Sequence, residues 1–224
     1  MLALLGSMLA VLVALAVAGP SPELLPDLVQ RPPTAVTLRD GRLAFFSRVD
    51  NLGEGPVEIV ARRATGMRAD QVIRLRGGGI RVLAGAGRLR YVRSRGHAHW
   101  HLLGFERYEL WRGDRLLVRD RKTGFCLYDR VVVGKQRTQP HFLRDCGRGK
   151  PNADEVTAGI SPRFGDAYDP WLEGQSLDVS GLAPGLYTLV HRVNADRCLR
   201  ELRYDNNVAR IRIRLTRTTV TVLR

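Results

Sequence analysis

Ala209-Arg210-Ile211-Arg212-Ile213-Arg214-Leu215 alternates apolar residues with arginine without a break. A period of two is that of a β-strand with one face buried and the other wet. The exposed arginines would also discourage pairing if this strand lay at a sheet edge. Tyr187 to Val193 alternates in the same way after a Leu182-Ala183-Pro184-Gly185 turn, and Ser176 to Val179 reads as a short strand before it. Phe105 to Trp111, Gly113-Asp114 and Arg115 to Val118 make a strand, a turn and a strand. Val72 to Leu75 and Ile80 to Leu83 do the same around Gly77-Gly78-Gly79. Leu43 to Val49 and Val57 to Val60, joined by the turn residues Asn51 to Pro56, predict a third hairpin. Short strands with frequent glycine turns and no long helical period indicate an all-β protein with a β-sandwich-like core. Residues 134–175 show no regular pattern, and they carry Tyr168 and Trp171. That stretch reads as a long irregular functional loop. Residues 19–36 are Pro-rich and form an extended lead-in, which leaves 37–224 as a single β domain.

The chain has 224 residues, 44% of them hydrophobic, and a formal net charge of +14. One core is expected at this size. The charge suits acidic partners such as an anionic cell-wall polymer. Nucleic acid is not expected, because there is no lysine tail, zinc-finger spacing or RNP-like aromatic motif. Residues 1–18 are uncharged and almost wholly apolar, and end in Ala16-Val17-Ala18. They read as a secretory signal peptide, so the protein is expected to be secreted or at the extracytoplasmic cell surface. They lack a basic n-region, so an uncleaved anchor is the alternative, and membrane attachment is expected only in that case. Export implies an oxidising compartment. Cys126, Cys146 and Cys198 leave at least one thiol without an intrachain partner.

Gly96-His97-Ala98-His99-Trp100-His101 holds three of the five histidines. In an extended segment His97, His99 and His101 share a face and Trp100 takes the other. Neutral imidazole is a common metal ligand, and nitrogen donors favour Cu, Zn, Ni or Fe over Mg or Ca. In a flat strand the outer two Cα atoms would lie ~13 Å apart, so curvature is expected here. The alternative is a His-rich surface strand.

A partial cupin pattern runs through His99, His101, Glu106 and Gly113, but Arg93 stands at its upstream glycine and His97 goes unexplained. A longer series of motifs resembles the lysyl oxidase family. His97-x-His99-x-His101 with Phe105-Glu106-Arg107-Tyr108 is similar to its copper segment. Lys122-Thr123-Gly124-Phe125-Cys126-Leu127-Tyr128-Asp129 is similar to K-x-x-F-C-L-x-D. Gly159-Ile160-Ser161, Asp166-Ala167-Tyr168 and Gln175 to Val179 follow in order. So do Pro184-Gly185-Leu186-Tyr187, Val193-Asn194, Glu201 and Tyr204-Asp205-Asn206-Asn207. Leu25 to Leu28 and Asn51 to Glu58 look like the N-terminal half of bacterial members.

The resemblance implies copper on His97, His99 and His101, and a lysine tyrosylquinone formed from Lys122 and Tyr168. Such a quinone condenses with a primary amine or protein lysine and acts as an electron sink while a base removes the α-proton. The products are an aldehyde, ammonia and hydrogen peroxide. Tyr187 reads as a structural tyrosine, and Asn206-Asn207 as a turn. Gly96 stands where animal members carry a Cys, and the nearby partner of their F-C-L cysteine is absent too. Cys126 and Cys146 are therefore expected to pair with each other, the alternative being two free thiols. Arg107 replaces a proton-transfer histidine and cannot act as a base. Asp166 and Asp169, which flank Tyr168, are the candidates for that role. A metal-stabilised extracellular binding module without turnover is the alternative function. A positive protein repels cationic amines at long range. A lysine in an acidic peptide should therefore show a higher kcat/KM than free polyamines, and the reverse order in steady-state assays would refute this.

Overall fold

The computed structural model describes residues 22–94, 97–120, 124–135 and 139–223, and the side chain of His97 lies outside that set. The expected export segment 1–18 and the candidate Lys122 also lie outside the described residues. Three short strands lead in, β1 (Glu23–Leu24), β2 (Leu28–Gln30) and β3 (Thr34–Arg39). They are followed by β4 (Arg42–Asn51), β5 (Val57–Arg62), β6 (Arg68–Leu75), β7 (Ile80–Ser94) and β8 (His97–Leu102). Next come β9 (Glu106–Arg112), β10 (Arg115–Arg119), β11 (Val131–Val132), β12 (Glu155–Ile160) and β13 (Phe164–Tyr168). The chain ends with β14 (Ser176–Asp178), β15 (Gly185–Val193), β16 (Val208–Leu215) and β17 (Val220–Leu223).

The first sheet has the order β12-β5-β6-β7-β8, with β1 on β6. The second runs β10-β9-β15-β16-β17, and the third β11-β13-β4-β14 with β2 and β3 also on β4. The second and third sheets face each other, as the alternation predicts. Leu43, Phe45 and Val49 of β4 are buried, as are Tyr108 and Leu110 of β9 and Tyr187, Leu189 and Val193 of β15. Phe45 packs edge-on against Tyr108 and His191, with ring centroids 4.9 and 4.5 Å away.

This interior also holds a polar cluster. Ser47 Oγ and Tyr108 Oη both donate to Glu106 Oε2, at 2.6 and 2.9 Å. Gln175 Nε2 donates to Tyr108 Oη at 3.1 Å. His191 Nδ1 lies 3.3 Å from Ser47 Oγ. Because the Ser47 proton is directed at Glu106, His191 must carry its hydrogen on Nδ1 and donate it to Ser47. Nε2 of His191 then has no hydrogen-bond partner among the described residues.

Two expectations change. The strands at 43–49 and 57–60 do not pair, because β4 belongs to the third sheet and β5 to the first. The side chain of Asn51 holds the bend between them, accepting from Asp27 N and Gly53 N and donating to the carbonyls of Gly55 and Ile160. Residues 134–175 are not irregular throughout, since they contain β12 and β13. Glycines concealed these strands. A Cβ at Gly159 would lie 2.2 Å from Val57 O, and one at Gly165 would lie 2.4 Å from Asp50 Oδ1, so glycine serves close strand packing rather than a turn. β16 is not at an edge, because β17 pairs with it along Arg212–Leu215. Residues 23–36 are extended, as expected, and they contribute strands to two of the sheets.

Burial lowers the His191 pKa to about 3. Between the unfolded value near 6.5 and about 3, the unfolded chain binds a proton that the folded chain does not. Stability is therefore lost as pH falls through that window, by on the order of 5 kcal/mol in full. In urea titrations, the stability gap between the wild type and His191→Gln should shrink from pH 7 to pH 4. A constant gap would contradict a buried neutral imidazole.

Candidate metal and tyrosine centre

β8 carries the histidines. His99 and His101 are buried with ring centroids 4.7 Å apart. Trp100 faces the other way, edge-on to Tyr91, and donates its indole N–H to Lys150 O at 3.0 Å. The strand alternation read from the sequence is therefore present. His97 lies within β8, but its side chain is outside the described residues. Among the described residues, no cluster of three or more His, Cys, Asp or Glu side chains is suited to a metal ion.

The segment after Lys122 docks onto this strand. Leu102 and Phe125 exchange two backbone hydrogen bonds, of 2.8 and 3.0 Å. Gly124, at φ +141°, lies so close that an added Cβ would meet Leu102 O at 2.6 Å and His101 Cβ at 3.0 Å. Here a glycine is obligatory on both conformational and steric grounds. Before Lys122, Asp120 is anchored by a reciprocal pair of hydrogen bonds with the Tyr108 backbone, of 2.9 and 3.1 Å.

Tyr168 arrives from the third sheet. β13 pairs with β4 so that Tyr168 lies opposite Ser47, which puts the phenol on the same face as the buried polar cluster. Its ring packs edge-on against Phe125 at 5.0 Å. Its hydroxyl donates to Asp166 Oδ2 at 2.6 Å, with Cys126 O at 2.9 Å as a second acceptor. Burial, then the charge of Asp166 and its hydrogen bond, push the Tyr168 pKa well above the ordinary phenol value, and Glu106 adds to this. Asp166 is fully buried, and its Oδ1 accepts the Ala167 N–H at 2.8 Å. Asp169 instead forms an ion pair with Arg130, which also donates to Ala167 O.

His99, His101, Gly124, Cys126, Tyr128 and Tyr168 line a single cavity of about 40 Å³. Arg130, Arg144, Leu172 and Glu173 complete its wall. Two larger clefts, of about 510 and 620 Å³, flank the 180–182 turn and contain no histidine, cysteine or tyrosine. The small cavity is the candidate centre because imidazoles and a buried phenol meet there, the phenol bonded to a buried carboxylate. Arg107 lies on the opposite face of β9 from Glu106 and Tyr108, and forks onto Asp196 at 2.8 and 2.9 Å.

Several motif residues turn out to be framework. Asp129 accepts from His141 N, Phe142 N, Ser161 N and Ser161 Oγ at 2.7–3.0 Å, tying three segments together. Glu201 accepts from Asn194, Asn207 and Leu28 N, which clamps β2 to the β15–β16 connection. Tyr187 donates to Ala183 O, the structural role read for it. Their motif spacing marked these residues, but only the fold shows what they hold.

The sandwich and the tyrosine–imidazole centre define a class, and comparison with known proteins agrees. The lysyl oxidase family model matches residues 80–224. The protein-lysine 6-oxidase of Sus scrofa is 30% identical over 126 residues, covering 54% of this chain and 45% of that protein. Those of Bos taurus and Homo sapiens are also 30% identical over 126 residues, with 27% of each covered. The chain belongs to the lysyl oxidase family. It spans less than half the length of these curated relatives.

Cys126 and Cys146 form a disulfide across 20 residues with Cα atoms 5.9 Å apart, and Cys198 is free and exposed. The bridge secures the segment whose Cys126 carbonyl meets Tyr168. Replacing both cysteines by alanine should cost about 3 kcal/mol by the loop-entropy relation. Urea midpoints of the double variant and of the reduced wild type should fall together, and an unchanged midpoint would refute the bridge.

Proposed function

We propose that this chain is a secreted, copper-dependent oxidase of primary amines, above all protein lysines, whose electron-accepting group is built from Tyr168 and Lys122. The observation that carries this reading is the shared cavity. A buried phenol bonded to a buried carboxylate sits in the same pocket as two like-facing imidazoles. His99 and His101 are a fitting nitrogen-donor pair for copper, with His97 on the same strand as the third ligand. Bound there, copper would supply the oxygen-dependent redox chemistry that matures Tyr168 with Lys122 into lysine tyrosylquinone, a group that would take two electrons from a primary amine, release aldehyde and ammonia on hydrolysis with water, and pass the electrons to oxygen as hydrogen peroxide.

The chain's own residues prepare that chemistry. Asp166 Oδ2 accepts the hydrogen bond of the Tyr168 hydroxyl at an O···O distance of 2.6 Å, so it is the group positioned to take the phenolic proton. Asp169 is the weaker candidate because its carboxylate is engaged by Arg130. Phe125 packs on the ring of Tyr168 and excludes water from it. Lys122 stands two residues before Gly124 in the sequence. The disulfide fits an exported protein. The second reading, a non-catalytic metal-stabilised module, draws on Arg107, which lies on the outer face and offers no base.

Peptide mass spectrometry on protein secreted with copper in air tests the proposal. A cross-linked Lys122–Tyr168 species is expected, and it should be absent in Tyr168→Phe. Separate peptides with copper bound would refute the oxidase and leave the module.

A further inference from the structure

The arginines of β16 need an account that the sheet does not supply. β17 covers β16 at Arg212 and Arg214, so edge protection does not explain those two, and Arg210 lies just beyond the covered stretch. Opposite charges across neighbouring strands are a common stabilising arrangement. Here Arg210 faces Val190, Arg212 lies between Thr188 and Leu223, and Arg214 lies between Leu186 and Thr221. All three arginines are exposed, and none forms an ion pair among the described residues. Other arginines of this face are paired: Arg107 holds Asp196, and Arg119 and Arg192 hold Glu109. Glu109 shares a row with Arg210 through Val190, but both of its oxygens are already occupied.

The result is a straight stripe of three unneutralised guanidinium groups with a step of about 6.8 Å along the strand. An aromatic ring accompanies it. Trp111 faces Thr188 in the same row as Arg212, roughly 9.6 Å away across two strand spacings. It is partly exposed, and its indole N–H is held by Glu109 at 3.0 Å. Leu186, 44% exposed, adds apolar surface beside Arg214.

We propose that this sheet face binds a linear polysaccharide bearing carboxylates, with Arg210, Arg212 and Arg214 pairing with its acidic groups and Trp111 packing on the apolar face of a sugar ring. The planar guanidinium fork matches a carboxylate in two parallel hydrogen bonds. The flat aromatic face offers the apolar surface that a sugar's C–H face needs. The chain's net charge of +14 draws such a polymer in from a distance. The opposite face of the strand, with Ile213 and Leu215, belongs to the core, so the arginines can be replaced without disturbing the fold. This surface stands independently of the oxidase reading.

The test uses the full chain and polygalacturonate in a binding titration at low and moderate salt. One variant carries Arg210→Gln, Arg212→Gln and Arg214→Gln. A charge-matched control carries Arg39→Gln, Arg68→Gln and Arg88→Gln, which remove exposed cations elsewhere. Thermal melts establish that both are folded. The expected result is at least a tenfold loss of affinity in the β16 variant, a smaller loss in Trp111→Ala, and a change under threefold in the control. Equal loss in both triple variants would reduce the effect to net charge and overturn the site. Tighter binding of polyphosphate than of polygalacturonate would overturn the carboxylate assignment, as would undiminished binding by the β16 variant.

Discussion

Two backbone hydrogen bonds between Leu102 and Phe125 bring the centre together. β8 ends the first sheet, and β13 belongs to the third, so the histidines and the tyrosine come from separate layers. The segment Gly124–Asp129 bridges them. Gly124 lies flat against His101, Phe125 packs on Tyr168, and the Cys126 carbonyl meets the phenol. The disulfide to Cys146 and the four bonds accepted by Asp129 hold the far side of the same segment. Any side chain at position 124 would push the two layers apart, because the obstruction is backbone rather than a movable side chain.

Behind the centre, the sandwich tolerates polar groups that a simple core would exclude. Glu106 is buried, and Ser47 and Tyr108 donate to it. Unpaired, a buried carboxylate would be strongly destabilising, whereas a satisfied network fixes the relative position of the elements that form it. β4 and β9 are joined in this way across the interface between the sheets. Because Tyr168 lies opposite Ser47 on β4, the same network contributes to the field around the phenol. The neutral His191 fills the remaining space between Phe45 and Tyr108.

Membership of the lysyl oxidase family rests on residues 80–224 and accounts for the order of the motifs. The structure separates those motifs by task. Some line the cavity, as His99, His101 and Tyr168 do. Others are clamps, as Asp129 and Glu201 are, and they hold chain segments more than 100 residues apart in the case of Leu28 and Glu201. The two faces of the second sheet differ in the same spirit, with aromatic and aliphatic residues turned inward and arginines turned to solvent.

The all-β class, the facing of Ala209 to Leu215, the common face of His99 and His101 and the pairing of Cys126 with Cys146 were all legible from residue order. The first three depend on a period of two that belongs to the strand alone. The disulfide was legible because the family resemblance left two cysteines without their usual partners. The fate of Asn51 to Val60 was not legible, because a turn signal reports that the chain bends and not which sheet receives the next strand. β12 and β13 were hidden for a related reason. Gly159 and Gly165 resemble loop residues until the neighbouring backbone that forbids a Cβ is in view. Whether the arginine strand lay at a sheet edge was likewise open, until β17 was seen to pair with β16 along Arg212–Leu215. Strand pairing, burial of the phenol against Asp166 and its meeting with the imidazoles join residues far apart in the chain, and only long-range packing decides which of them touch.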